Sequence, residues 1–305
     1  MGLPIRIIPS KTNFNFIKYK SFALLFSLLI TIAAIGLVLV KGLNFGIDFS
    51  GGIVMELRVS EDITVDNIRA SLTRYGYGGA LIQKVGNGGN VMIRIQPKDV
   101  ESSQVEEVRK IQEILTSTVS SEMEFRKVDY VGPKVGSEFV LNGTLALVVA
   151  IIGMLVYIWF RFDWQFGLGA VISLAHDAII TLGFFSISQY DFDLTSIAAI
   201  LTIVGYSIND TVVIYDRIRE NLRKHRGGDM AHIINLSINE TLSRTIMTVA
   251  TTLLVCLALA LFGGEVLRGF SMALLFGIAF GTYSSIYVAA PVLLHTGLKN
   301  IKKQY

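Results

Sequence analysis

Six apolar runs, each near the length of a bilayer core, limit what this chain can fold into. They lie at roughly residues 21–40, 139–160, 165–188, 194–215, 245–262 and 269–294. A hydrocarbon core needs about 20 residues of helix to cross it, and each run comes close to that length. Composition agrees: 52% of the 305 residues are hydrophobic, only 17% are charged, and the mean hydropathy is +0.56, which no soluble domain of this size would show. The first run has some features of a signal peptide. It is longer than the usual apolar core of one, and no A-x-A-like site follows, so the reading is an uncleaved first span.

Lys and Arg in the short loops set the expected orientation. Arg6, Lys11, Lys18 and Lys20 precede the first span; Arg217, Arg219, Arg223, Lys224 and Arg226 follow the fourth; Lys299, Lys302 and Lys303 end the chain. The loop after the third span, QYDFD, holds only acids, and the loop after the fifth holds Glu265 and Arg268. Both termini are therefore expected in the cytoplasm, as a tail at 1–20 and a tail at 295–305, with a cytoplasmic loop at 216–243. Within that loop, Met230, Ile233, Ile234 and Ile238 have helical spacing. They fit either an amphipathic helix lying on the cytoplasmic membrane face or a simple connector.

Residues 41–137, between spans one and two, then fall on the outer side and read as a small domain. IVMELRV, ALIQKV, NVMIRIQ and MEFRKVDYV have strand character, and the turn-rich GNGG joins the middle pair. TVDNIRASLTRYG begins with Thr64 as a cap. ESSQVEEVRKIQEILTSTV places Val105, Val108, Ile111, Leu115 and Val119 on one helical face. The order β-α-β-β-α-β predicts a ferredoxin-like split βαβ unit. The expected fold class is thus an α-helical polytopic membrane protein with six transmembrane helices, two of them flanking an α+β ferredoxin-like extracytoplasmic domain. The fold hosts many activities and decides no function alone.

The polar residues inside the spans carry the functional reading. A carboxylate at the centre of a membrane helix costs about 2.5–3.5 kcal/mol on insertion scales, and Asp210 stands in the fourth run. Thr202, Tyr206, Asn209 and Asp210 follow i, i+4, i+7, i+8 and so share a face; Arg244, Thr248, Thr251 and Thr252 repeat the pattern at the start of the fifth span. Two antiparallel helices with facing stripes would bring Asp210 and Arg244 into the same cytoplasmic third of the bilayer. Burial and a nearby guanidinium act in opposite directions on a carboxyl's proton affinity, so Asp210 could exchange protons near neutral pH. Arg244 keeps its proton and would act by charge. The alternative is a static pair that fixes helix register. In the third span, His176 and Asp177 sit near the midplane. Adjacent helix positions point in different directions, so a simple pair is not expected. A relay and ordinary packing both remain open for them.

Other signals fail. GIDFSGGI gives Gly46 and Gly51 the spacing of a phosphate loop, but Gly52 and Ile53 stand where Lys and Ser/Thr are required. Its glycines fit a sharp turn into the first strand. No H-E-x-x-H, C-x-x-C or G-x-S-x-G occurs. The single Cys256 rules out an intrachain disulfide and a cysteine zinc set, and fits helix packing. No cofactor, metal or nucleic-acid partner is expected. Gly277 and Gly281 form a G-x-x-x-G, a mark of close helix packing within or between subunits.

Taken in order, GIDFSGG after span one (with Gly46, Asp48, Gly51 and Gly52), VGPKVG before span two (with Gly132 and Gly136), AHD in span three, GYSINDTVVIYDRIREN in span four and TLSRT opening span five resemble the SecD/SecF family of protein-export membrane proteins, within the resistance-nodulation-division superfamily. The likeness covers nearly the whole chain. It implies a non-enzymatic subunit of the Sec accessory complex in the bacterial cytoplasmic membrane. It also implies a six-span partner, SecD, the SecYEG translocon with its associated membrane subunits, exported unfolded polypeptides as cargo, and a proton or sodium gradient as energy source. It places the family's essential acid on Asp210 and its essential arginine on Arg244. The competing readings are an ion-driven exporter of small molecules or lipids and a non-transporting scaffold of the translocase.

Overall fold

In the computed structural model six helices are long and apolar enough to cross a membrane, at Ile17–Lys41, Val135–Arg161, Trp164–Ser188, Leu194–Lys224, Met230–Phe262 and Leu267–Val292. The structure describes residues 12–60, 62–84, 89–95, 104–120, 123–225 and 228–296. Arg6, Lys11, Arg226, Lys299, Lys302 and Lys303, which carry part of the orientation argument, and most of the GNGG turn lie outside the described residues. The chain divides into two compact units, one of Phe45–Leu145 and one of the residues on either side of it.

In the Phe45–Leu145 unit, strands β1 (Gly52–Arg58), β2 (Leu81–Lys84), β3 (Asn90–Ile95) and β4 (Glu124–Val131) make one antiparallel sheet in the order β2-β3-β1-β4. Alternation does the sorting. Ile53, Met55 and Leu57 pair with Ile95, Ile93 and Val91, so all six point to one face, and all are buried. Helices α3 (Val65–Arg74) and α4 (Gln104–Thr118) cover that face with Ile68, Leu72, Ile111 and Leu115. Full burial of each such side chain is worth about 1.5–3 kcal/mol. The Thr64 side chain caps α3 by accepting from the Asn67 N–H. A register shift between Glu56 and Leu57 marks a bulge against β4.

The expected apolar face of α4 is off in phase at one end, because Val105 is 73% exposed. At about 100° per residue Val105 lies about 120° around the helix from Ile111. The inward positions are Glu107, Ile111, Ile114 and Leu115 instead, with buried Glu107 accepting from the Tyr77 hydroxyl at 2.8 Å.

Two of the sequence motifs meet in this unit. GIDFSGG forms a short helical turn, α2 (Ile47–Ser50), which ends at Gly51 and Gly52 with φ of 66° and 123°. Positive φ at both positions gives the sharp entry to β1 at low steric cost. Gly136, in the first turns of α5 (Pro133–Arg161), packs on that turn: a Cβ there would stand 3.3 Å from the Phe49 carbonyl oxygen and 3.4 Å from that of Asp48.

The other unit holds α1 (Lys20–Lys41), the rest of α5, α6 (Trp164–Ser188), α7 (Leu194–Lys224), α8 (Met230–Phe262) and α9 (Gly264–Ser284). α9 runs on through a π-helical segment, Ser285–Ala289, into the short α10 (Ala290–Val292). Asp193 and Ser196 start α7 with a capping box. α7 has 31 residues and α8 has 33, about 46 and 50 Å of helix at 1.5 Å per residue, so both overrun a core of about 30 Å. The connection between them is short, where residues 216–243 were expected to form a loop.

The segment from Met230 is therefore neither a connector nor a helix lying flat on the membrane. It is the first part of α8, capped by Asp229. Ile233, Ile234 and Ile238 share a buried cluster with Ile214, Tyr215, Ile218 and Leu222, all four from α7. An apolar stripe with a partner helix this close is satisfied by packing and has no need of lipid. Asn235 and Asn239, one turn apart on α8, hold the stretch before α1: Asn239 Oδ1 accepts from the Phe14 N–H at 2.8 Å, and Asn235 Oδ1 from the Phe16 N–H at 2.8 Å.

Candidate functional site

Helices α6, α7 and α9 close on one another because small residues line the contact. A Cβ on Gly277 would stand 2.2 Å from Ile203 Cδ1, and one on Gly281 3.1 Å from Ser207 Cβ. The G-x-x-x-G motif thus packs within the chain, against α7. That closeness brings the α6 carboxylate of Asp177, 1% exposed, into a buried hydroxyl network.

Asp177 Oδ2 accepts from Ser207 Oγ of α7 at 2.5 Å and from Ser284 Oγ of α9 at 2.8 Å. Ser173 Oγ donates to Ser284 Oγ at 3.0 Å. Ser285, the first residue of the π-helical segment, shares a hydrogen bond with Thr211 Oγ1 at 2.9 Å and can also donate to the Gly281 carbonyl at 3.0 Å. One turn on, the buried Tyr215 hydroxyl donates to the Ala289 carbonyl at 3.1 Å. π-turns inside α-helices recur at functional sites. This one ends where the Ala290 N–H bonds the Ser285 carbonyl.

His176 and Asp177 differ from expectation. Their side chains do meet, with Nδ1 and Oδ1 3.0 Å apart and both residues buried. The nearer imidazole nitrogen is close enough to the backbone to reach a carboxylate one residue on, although the two Cα–Cβ bonds diverge. The far nitrogen, Nε2, is buried without a hydrogen-bond partner.

The two polar stripes do not meet along their length. On α7, Thr202 and Asn209 are exposed, Tyr206 is half-buried and Asp210 is buried at 3%. Asp210 therefore stands at the edge between the stripe and the packed face. On α8, Arg244 and Thr251 are exposed, and the hydroxyls of Thr248, Thr251 and Thr252 donate to carbonyls of their own helix. Threonine satisfies itself this way in a membrane helix, so these hydroxyls do not seek the facing helix. Arg244 acts on the Asp210 carboxylate through its charge, with no hydrogen bond or ion pair between the two. Asp210 Oδ2, Tyr206 Oη and Thr245 Oγ1 are all buried and lack hydrogen-bond partners. A buried polar group left unpaired costs about 1–3 kcal/mol, and these three stand on the adjoining helices α7 and α8.

Asp210, Arg244, Asn209, His176 and Asp177 are the site residues expected from sequence; Ser207, Thr211, Ser284 and Ser285 are not among them. Ser207 and Thr211 stand four residues apart inside an apolar run, and Ser284 and Ser285 are adjacent in another; hydroxyls so placed within spans were the available signal. Of the motif glycines, Gly51, Gly52 and Gly136 meet in the Phe45–Leu145 unit. Gly46 caps α2 with an ordinary φ of −67°, Asp48 lies in the first turn of α2, and Gly132 precedes α5, accepting from the Gly136 N–H at 2.9 Å. Cys256 is buried and free, as packing requires. Among the described residues no group of His, Cys, Asp and Glu is arranged to hold a metal ion.

A family model described as protein export membrane protein SecD/SecF, C-terminal, matches residues 110–299, and one described as the SecD/SecF GG motif matches residues 36–63. Among curated relatives, a protein translocase subunit SecF of Rickettsia conorii is 47% identical over 290 residues, which cover 95% of this chain and 94% of the relative. One of Rickettsia bellii is 46% identical over 300 residues, covering 98% and 99%. Among solved structures, SecDF of Thermus thermophilus, described as a translocon-associated membrane protein, superposes with a TM-score of 0.85 at 38% identity over 96% of this chain and 40% of that one. SecDF in a super-membrane-facing form gives 0.71 at 37% identity, over 100% and 41%. The chain spans about two-fifths of the length of these SecDF chains.

Proposed function

The chain belongs to the SecD/SecF family of protein export membrane proteins, and from that premise we propose that it is an ion-driven subunit of the Sec export machinery. In this reading it pairs with SecD beside SecYEG in the cytoplasmic membrane and helps draw unfolded polypeptides outward. Both termini are cytoplasmic. The Phe45–Leu145 unit is an external ferredoxin-like domain, supported by the strand order β2-β3-β1-β4 with a helix after β1 and another after β3.

The observation that carries the proposal is Asp210: a carboxylate buried within an apolar helix, one oxygen unpaired, with Arg244 acting on it only through charge. A group that served only to fix register would be expected in a closed ion pair. Asp210 is instead free to titrate as α7 and α8 shift, and Arg244 sets the electrostatic bias. Asp177 and His176 form a second buried acid–base pair, tied through Ser207 to the same helix as Asp210. We assign them to the proton path, and Asn209 to the mouth of that path. One charge crossing 100 mV releases about 2.3 kcal/mol, so a few ions per cycle suffice to bias a domain movement of a few kcal/mol.

The test is protein export by membranes carrying Asp210→Asn, with and without an imposed gradient, normalised to assembled complex. Loss of the gradient-dependent part alone supports coupling. Full export per complex rejects it and leaves the scaffold reading.

A further inference from the structure

The main chain just before α1 is gripped by α8 in a way that helix packing does not require. Asn239 Oδ1 accepts from the Phe14 N–H at 2.8 Å, and Asn239 Nδ2 donates to the Phe14 carbonyl at 2.8 Å. One turn earlier, Asn235 Nδ2 donates to the same carbonyl at 3.0 Å, and Asn235 Oδ1 accepts from the Phe16 N–H at 2.8 Å. The Thr12 hydroxyl donates to the Asn239 carbonyl at 3.2 Å. Asn239 is buried, whereas Phe14 is 60% exposed. Two carboxamides at i, i+4 therefore serve this stretch as a neighbouring strand would, donating and accepting in turn. They read its backbone and leave the ring at position 14 outside. Asparagine is a poor residue for a helix interior, and the buried cluster with α7 is made by Ile233, Ile234 and Ile238 instead. The grip on the stretch before α1 accounts for both amides.

The far end of the same stretch is fixed on a different helix. The Phe16 ring meets Tyr287 edge-on, with centroids 6.0 Å apart, in the π-helical segment Ser285–Ala289. Ile17 is buried in the cluster that also holds Ile286. α1 follows, and its Ala23 carbonyl accepts from the Tyr283 hydroxyl of α9 at 2.8 Å. Residues 12–17 thus join the first turns of α8 to the end of α9. Ser285 of the π-helical segment bonds Thr211, the neighbour of Asp210. Arg244 lies five residues beyond Asn239 on α8, about 7.5 Å along the helix. One short stretch therefore bridges the helix that carries Arg244 and the helix bonded beside Asp210.

We propose that residues 12–17 form a latch that sets where α8, and with it Arg244, stands relative to α9, with Asn235 and Asn239 as positioning residues. The proposal rests on the reading of Arg244 as the charge that biases Asp210. The hold has the strength a latch needs. It is a handful of hydrogen bonds with little apolar burial at Phe14, so it opens far more readily than packed helices separate. Closed, it keeps α8 against α9. Open, it leaves α8 free to shift and to carry Arg244 toward or away from Asp210.

Because the grip is on the main chain, it can be broken without touching α8. Phe14→Pro deletes the N–H that Asn239 accepts, whereas Phe14→Ala deletes only an exposed ring. Amide exchange of the full chain in lipid nanodiscs reads the latch directly. Phe14→Pro and Asn239→Leu should each speed exchange at Phe16, by about fivefold for each hydrogen bond lost. Exchange over residues 230–239 should quicken more weakly. The two changes together should do no more than Asn239→Leu alone, since they act on one contact. Phe14→Ala should match the parent chain. In export normalised to assembled complex, Phe14→Pro and Asn239→Leu should lower the gradient-dependent part several-fold and leave the gradient-independent part as it was. A merely structural strap would lower the amount of complex and keep that ratio. Equal exchange at Phe16 in the parent and Phe14→Pro chains, equal behaviour of Phe14→Pro and Phe14→Ala, or an unchanged ratio overturns the latch. Full export by Asp210→Asn would reject the coupling reading instead, and the exchange comparison would still decide the latch.

Discussion

At Asp177 the buried carboxylate accepts two serine hydroxyls and meets an imidazole. Asp177→Asn keeps an oxygen to accept from one of them. Asp177→Leu leaves Ser207 and Ser284 without that acceptor in a dry interior, at about 1–3 kcal/mol for each group that stays unpaired. Thermal unfolding of the full chain in detergent should therefore fall by several degrees more for Asp177→Leu than for Asp177→Asn. Equal midpoints would mean the serines find other acceptors and the network is not holding α6 to α7 and α9. Asp210 should behave in the opposite way. No hydrogen bond ties it down, so Asp210→Asn should leave the unfolding midpoint and complex assembly near normal while gradient-stimulated export is lost. A drop in assembled complex with normal export per complex would return Asp210 to a packing role.

Among the elements, the junction of α2 with the start of α5 makes the most specific demand on sequence. Gly136 touches the backbone of the turn itself, and backbone cannot swing aside as a flexible side chain can. Gly136→Val should strain this contact by about 1–3 kcal/mol, the usual cost of overpacking. Amide exchange at Ile47–Ser50 should then quicken relative to β1, where the ladder is intact. Unchanged exchange would show that the α2 turn does not depend on α5. α7 and α8 make a different point. Their polar ends read as loop in a hydropathy scan, yet Ile218 and Leu222 on one and Ile233, Ile234 and Ile238 on the other keep a helical stripe going past the membrane. The stripes bury each other, and the helices extend with them.

On the scale of the whole molecule, orientation is the proposal on which the others rest. Reporter fusions after Asn221 and at the C-terminus should be cytoplasmic, and one in the connection between β2 and β3, near Gly88, should be external. A cytoplasmic signal near Gly88 would reverse the placement of every loop. The Phe45–Leu145 unit has its own core of Ile53, Met55, Leu57, Ile68, Leu72, Ile93, Ile111 and Leu115. A fragment covering residues 44–130 should accordingly give circular dichroism of mixed helix and strand and a cooperative thermal transition. An unfolded fragment would show that this core needs the membrane unit or a partner chain.

The number and rough place of the spans, the βαββαβ order of elements and the candidacy of Asp210, Arg244, His176 and Asp177 were legible in the sequence. Each depends on local quantities: length against bilayer thickness, period of the apolar residues, and the penalty on a charge in lipid. Four things were decided only by tertiary structure. α7 and α8 continue beyond the bilayer, Val105 falls off the α4 core, Asp210 and Arg244 stand without a bond, and Asp177 is ringed by hydroxyls from two other helices. The reason is physical. A serine inside an apolar run reads as a tolerated small residue until the glycines of α9 let the helices approach closely enough for its hydroxyl to reach a carboxylate thirty or more positions away in the chain. Period and composition describe one helix at a time, and the chemistry of this bundle lies between helices.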